Sequence, residues 1–192
     1  MKALSERYDG DPNIAFFWFE ESACGYPRAE EEWIKAGFTD LGIYKDALMN
    51  RCRLFKKYFK KTPLMQMINK FRKSDKDWFE KHPEDFKGMW DFAEFLVQEG
   101  VYLGTPDFYE SEEKANNHDK TLIWPIFKKF SDKAKIVVFI DEPHSKKIKD
   151  PLSAINNLFS SYPVDHIFLF PALVHDSNWR KALEIAKKRL RP

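Results

Sequence analysis

IVVFIDEPHSKK, residues 136–147, runs five consecutive apolar residues into an acid pair, a proline, a histidine and two lysines. Five apolar residues without alternation is the pattern of a strand buried on both faces, which occurs chiefly in parallel sheets covered by helices. The change of character at Asp141 marks where that strand reaches the edge of its sheet. Downstream, a helix is predicted from about Pro151 to Ser160, a strand over 166–170 and a helix from about Asn178 to Arg189. Strand, helix, strand, helix with short connections is the βα unit of a mainly parallel sheet with right-handed crossovers.

Upstream, IAFFWF at 14–19 is another continuous apolar run and predicts a first strand, also buried on both faces. RAEEEWIKA at 28–36 predicts a short helix stopped at Gly37, because glycine takes the left-handed conformation at a helix end. Residues 40–99 predict helix almost throughout. From Asp40 to Lys61, Leu41, Tyr44, Leu48, Phe55, Tyr58 and Phe59 share one side at about 100° per residue, and Arg53, Lys56, Lys57 and Lys60 share the other. Thr62-Pro63 predicts a stop and a new helix with Leu64, Met67, Ile68 and Phe71 on its apolar face. Ser74 and Pro83 open two further helical segments, the second ending at Gly100. VYLG at 101–104 predicts a short strand, residues 105–120 a polar surface loop suited to act as a lid, and Leu122 to Phe130 a helix. The expected architecture is a single α/β domain over 1–192. It has a small, mainly parallel sheet of about four strands flanked by helices, with a helical insertion at 40–99 between the first strand and the rest.

Composition agrees with one folded core: 192 residues, 43% hydrophobic and 32% charged, with no apolar run near the length of a bilayer span. No membrane partner is expected. The N-terminal MKALSERYDGDPN lacks the apolar stretch of a secretory signal, so the expected location is the cytoplasm. Two cysteines, Cys24 and Cys52, make no disulfide framework and have no zinc-ligand spacing. A net charge of +2 gives no overall pull on nucleic acid, so any electrostatic role has to come from local clustering. The 18 Phe and 6 Trp exceed what a minimal core needs, and they predict a bulky aromatic core or, alternatively, rings that line a ligand cleft or stack on bases.

Ligands of parallel sheets bind beyond the carboxyl ends of strands. Glu20, Glu21 and Cys24 follow the first strand, Asp141, Glu142 and His144 follow the strand at 135–140, and His175 and Asp176 follow the one at 166–170. Carboxylates there can hold Mg²⁺ or Mn²⁺ through oxygen, with Asp141, Glu20 and Glu21 as the expected ligands. Asp141, Glu142, His144 and His175 are the expected catalytic acids and bases. Cys24, in the turn before a helix, is an alternative nucleophile. IVVFIDE has the form of a Walker B strand, yet no GxxxxGK[ST] accompanies it: GFTDLG at 37–42 is followed by Ile43 and Tyr44 where Lys and Ser or Thr are needed. No GxGxxG dinucleotide fingerprint occurs either.

Between Arg51 and Lys73 stand nine basic residues and no acidic one. Such a helical face, with Arg53, Lys56, Lys57 and Lys60 at its centre, can hold phosphates. The function these residues point to is an enzyme, a metal-dependent hydrolase or transferase, acting on a phosphorylated substrate such as a nucleotide or nucleic acid. One alternative is a non-enzymatic module whose basic helix at 51–73 docks on nucleic acid or a protein, in an inhibitory role for example. A second is a glycosyl transferase or hydrolase using the same strand-end carboxylates.

Overall fold

The computed structural model describes residues 1–22, 30–37, 41–69, 71, 83–105, 108, 124–140 and 145–191. Five strands form one all-parallel sheet flanked by helices, the expected α/β class. They are β1 (Phe17–Phe19), β2 (Leu64–Met67), β3 (Tyr102–Gly104), β4 (Ile136–Ile140) and β5 (His166–Leu169), and they follow one another across the sheet in chain order. In the chain, α1 (Lys2–Tyr8) precedes β1, and α2 (Glu30–Lys35) and α3 (Leu41–Tyr58) lead to β2. Then α4 (Pro83–Gln98) leads to β3, α5 (Trp124–Phe130) to β4 and α6 (Pro151–Ser161) to β5, and α7 (Pro171–Val174) and α8 (Ser177–Arg189) come last. Among the described residues the strand order does not reverse, as it would at the switch-point crevice of a doubly wound sheet. Sites are then expected in the loops that follow individual strands, as in barrels. The chain divides into two compact units, Met1–Tyr102 and Leu103–Pro192.

In the first unit β1 is shorter than the apolar run that predicts it, and it is not buried on both faces. Phe17 and Phe19 pack on α3, their rings 4.2 Å from Phe59 and 4.6 Å from Phe55, while Trp18 between them is 44% exposed. This alternation is the period of two expected of a strand at the end of the sheet order. β2 replaces the helix predicted after Pro63, so 40–99 is not helical throughout. Leu64 and Met67 have helical spacing, but Met65 and Gln66 between them are equally buried, with all four at 4% exposure or less. A surface helix would have left those two in water. Pairing with β1, Phe17 to Leu64 and Phe19 to Gln66, buries them on both faces instead. α4 keeps its predicted form: Met89, Phe92, Ala93 and Leu96 are fully buried at helical spacing, and Gly100 ends the segment at φ +68°. Gly37 also takes the expected left-handed conformation, at φ +85°. The segment opened by Ser74 and most of the 105–120 loop lie outside the described residues.

The sequence reading did not anticipate α1, and a clasp ties its end to the turn after α3. The Asp9 carboxylate accepts hydrogen bonds from the backbone N–H groups of Lys60, Lys61 and Thr62 at 2.9, 2.9 and 2.8 Å. The Thr62 hydroxyl accepts from the Gly10 N–H at 2.6 Å. Gly10 sits at φ +86°, and a Cβ there would stand 2.8 Å from Lys61 Cδ, so the tight approach requires glycine. Desolvation pushes the Asp9 pKa up, but the backbone donors outweigh it and hold it at about 2. A folded pKa below the unfolded value means that the clasp stabilises the chain above about pH 4 and is lost as pH falls towards 2. Asp9→Asn should therefore flatten the acid limb of the stability curve over that interval. An unchanged limb in urea titrations at several pH values would rule the clasp out as its cause.

In the second unit β4 is buried along its whole length, as the apolar run predicts. It pairs with β3 through Leu103 to Ile136 and with β5 from Val137 opposite His166 to Ile140 opposite Leu169. Thr105 prolongs the contact with β4, its hydroxyl accepting the Phe139 N–H at 3.0 Å. α6 starts on an Asp150 cap with Pro151 in its first turn, and α8 starts on an Asp176 cap. Both follow strand ends and pack against each other.

Candidate functional site

The residues expected to act are placed as follows. Glu20 and Glu21 belong to the first unit and His175 to the second, while Cys24, Asp141, Glu142 and His144 lie outside the described residues. Among the described residues, no group of three or more His, Cys, Asp or Glu side chains is gathered where it could hold a metal ion. Likewise among them, no helix is long and apolar enough to cross a membrane.

The end of β1 is organised by polar groups of β2 and α3. Gln66, 1% exposed, donates through Nε2 to the carbonyls of Glu20 at 2.7 Å and Met67 at 2.8 Å, and its Oε1 accepts from Arg51 Nη2 at 3.0 Å. Each amide donor and the acceptor is thus satisfied, which is what burying an amide requires. Glu21 takes the side-chain amide of Asn69, and Tyr44 donates its hydroxyl to the Ser22 carbonyl. These contacts fix the backbone that carries Glu20 and Glu21.

The basic face of α3 is more engaged than its local sequence suggests. Lys56 forms an ion pair with Glu99 at 3.2 Å, a partner supplied from just beyond α4. Arg53 bonds Asn50 at 3.0 Å and lies 4.8 Å from the Phe95 ring centre. Arg51 serves Gln66 and covers Phe19. Lys57 and Lys60 are exposed, with Lys57 5.9 Å from the Tyr58 ring. Cys52 on the inner face is 1% exposed, and burial, then the charge of Glu99, pushes its thiol up to about 11, so it is no nucleophile.

In the second unit the segments that follow β4 and β5 enclose a cleft of about 350 Å³. Lys146 and Lys149, in the connection from β4 to α6, and Asp176 and Asn178, at the start of α8, are among the residues that line it. Leu173 and Trp179, 4% and 3% exposed, contribute apolar lining, with Phe108 packed edge-on against Trp179 at 6.2 Å. His175 is exposed in the turn between α7 and α8, its backbone N–H bonded to the Leu173 carbonyl, so it stands between two cleft-lining residues. A small concave space lined by two lysines can hold an anion. The sequence reading missed Lys149, Asn178 and Trp179. Their signal was available: Asp150-Pro151 and Asp176-Ser177 are both N-cap signatures placed just after strand ends, where site-forming turns occur.

No protein-family model, curated protein or solved structure matches the chain.

Proposed function

We propose that this chain is an enzyme acting on a small phosphorylated substrate held in the cleft that follows β4 and β5. The observation that carries the reading is that Lys146 and Lys149 both line a space of about 350 Å³. That volume is at the lower end of the range of about 300–1,000 Å³ in which small-molecule sites fall, which favours a nucleotide-sized ligand over a polymer. Two lysines stabilise the charge that grows on phosphoryl oxygens in a transition state, the largest single contribution a site of this kind makes. His175 is the acid or base assigned to it. Asp141, directly after β4 and four positions before the cleft residue Ser145, is the residue assigned to Mg²⁺ or Mn²⁺. The docking-module alternative uses the basic face of α3, where Arg51, Arg53 and Lys56 have partners within the first unit and Lys57 and Lys60 are exposed.

Thermal unfolding with inorganic phosphate and nucleoside monophosphates tests the reading. A ligand at a hundred times its Kd adds about 2.7 kcal/mol, and Lys146→Glu with Lys149→Glu is expected to abolish that gain. Asp141→Asn is expected to remove both turnover and any stabilisation by Mg²⁺ while the fold survives. A phosphate-dependent shift that persists in the double lysine variant would place the site elsewhere.

A further inference from the structure

We infer that the amino edge of β4 and β5 carries a surface for the phosphate backbone of double-stranded nucleic acid, independent of the cleft at the other end of these strands.

The surface is assembled from the carboxyl ends of α5 and α8. Residues 131–135 lead from α5 into β4 and residues 162–165 lead from α6 into β5, so both approaches lie at the amino edge. Arg191, just beyond α8, is bonded to both. Its guanidinium donates to the Ser131 carbonyl at 2.8 Å and pairs with Asp165, and its backbone N–H donates to the Val164 carbonyl at 3.1 Å. These bonds bring together Lys128 and Lys129 in the last turn of α5, Lys133 in the turn after it, and Lys187 and Lys188 in the last turn of α8. All five side chains are exposed.

A basic stretch can be neutralised by an acid from elsewhere in the fold, as Lys56 of α3 is by Glu99. That does not happen here: among the described residues none of the five lysines has an ion pair. The neighbouring elements have little to offer, because α5 and α6 carry no acidic residue and α8 carries only Glu184. Asp132 is the one acid in the turn after α5, and the buried Asp165 is taken up by Arg191 and, at 3.2 Å, by Lys135. Cations at a helix end offset its dipole, but the ends of α5, α6 and α8 together amount to about one and a half negative charges. Five lysines exceed that, and a polyanion relieves their mutual repulsion while releasing its own counterions.

The other side chains at this edge select the kind of polyanion. Trp124, Phe127, Phe130 and Tyr162 are buried, and Arg189 lies over the Phe159 ring at 4.9 Å. Among the described residues of these elements no ring is left on which the bases of a single strand could stack. The exposed large apolar side chains described in this unit, Leu152, Phe170 and Val174, stand at the start of α6 or after β5, which is the carboxyl edge. Nothing apolar is therefore described at the amino edge to enter a lipid interface. Lysines alone contact phosphates without reading bases, so binding to a duplex is independent of its sequence.

Fluorescence anisotropy of the full chain with a short labelled DNA duplex, its single strand and phosphatidylserine vesicles tests the inference. The duplex is expected to bind most tightly, with log Kobs falling against log salt at a slope of about −4.5 if all five lysines meet phosphates. Lys187→Gln with Lys188→Gln, and separately Lys128→Gln with Lys129→Gln, should each flatten the slope by about 2. Glutamine keeps the helix propensity of lysine, and neither pair removes an ion pair. Lys57→Gln with Lys60→Gln, the exposed lysines of α3, should leave duplex binding unchanged. Tighter binding of the single strand or the vesicles, a slope unchanged in both lysine pairs, a loss caused by the α3 pair instead, or no duplex binding at low salt would each overturn the inference.

Discussion

Arg191→Met is expected to lower the unfolding free energy by about 3 kcal/mol, the low end of the cost of taking a partner from a buried charge, because Lys135 and the Ile136 N–H stay beside it. The charge is Asp165, 3% exposed, just before β5. Its carboxylate pairs with Arg191 and, at 3.2 Å, with Lys135, and it accepts the Ile136 N–H at 2.7 Å. Arg191 also donates to the Ser131 carbonyl at 2.8 Å and, through its backbone, to the Val164 carbonyl at 3.1 Å. One side chain thus joins the turn before β4, the approach to β5 and the segment after α8. Burial pushes the Asp165 pKa up, but Arg191, the Ile136 N–H and Lys135 outweigh it and hold the group below its ordinary value of 3.8. The network therefore stabilises the chain above the unfolded carboxylate pKa and is lost as pH falls through the lower folded value. Urea unfolding at neutral pH measures the first effect. Combining Arg191→Met with Asp165→Asn should cost less than the sum of the two single changes, since the double variant buries no lone charge. A single-variant loss under about 1 kcal/mol would show that Asp165 is already adequately solvated or paired without Arg191.

Phe92→Ala is the second large effect, at about 3–5 kcal/mol. Phe92 is fully buried in α4, 5.7 Å from the Phe71 ring and stacked on Phe95 at 6.5 Å, and Phe71 meets Tyr44 of α3 edge-on at 5.7 Å. This line of rings crosses the first unit from α3 to α4, and removing its middle member leaves a void between helices whose backbones are held by other contacts. Leu54→Ala, 48% exposed on α3, serves as the control and should stay within about 0.5 kcal/mol. Equal losses for the two variants would mean that the ring cluster is plastic enough to close. The cluster also accounts for much of the aromatic excess: these rings are core, as are Phe127 and Phe130 of α5.

How far the sequence reached can be judged element by element. The 136–140 run, the helices at 151–161 and 177–189 and the strand at 166–169 were legible because their signals are local: a continuous apolar run, an Asp cap, a proline in the first turn. So were Gly37 and Gly100 as helix ends, where the backbone needs a left-handed residue. Asp141, Glu142 and His144 were chosen from chain position alone, as the residues that follow a buried strand, and they lie outside the described residues. What local pattern could not decide was any feature whose partner lies far away. Leu64, Met67, Ile68 and Phe71 have helical spacing, yet β2 is a strand because β1 offers hydrogen bonds on one edge and the core buries Met65 and Gln66 as well. Lys56 looks unpaired from Arg51 to Lys73, yet it meets Glu99, more than forty positions away in the chain. Arg191 reads as one more terminal cation, and only the fold gives it Asp165. The sequence alone determined the α/β class and where most chain segments turn, because capping and burial periodicity act within a few residues. Tertiary structure alone decided the fate of Gln66, the pairing of the basic face and the cleft lined from both the β4–α6 connection and the start of α8, because each needs groups that chain order keeps apart and packing brings together.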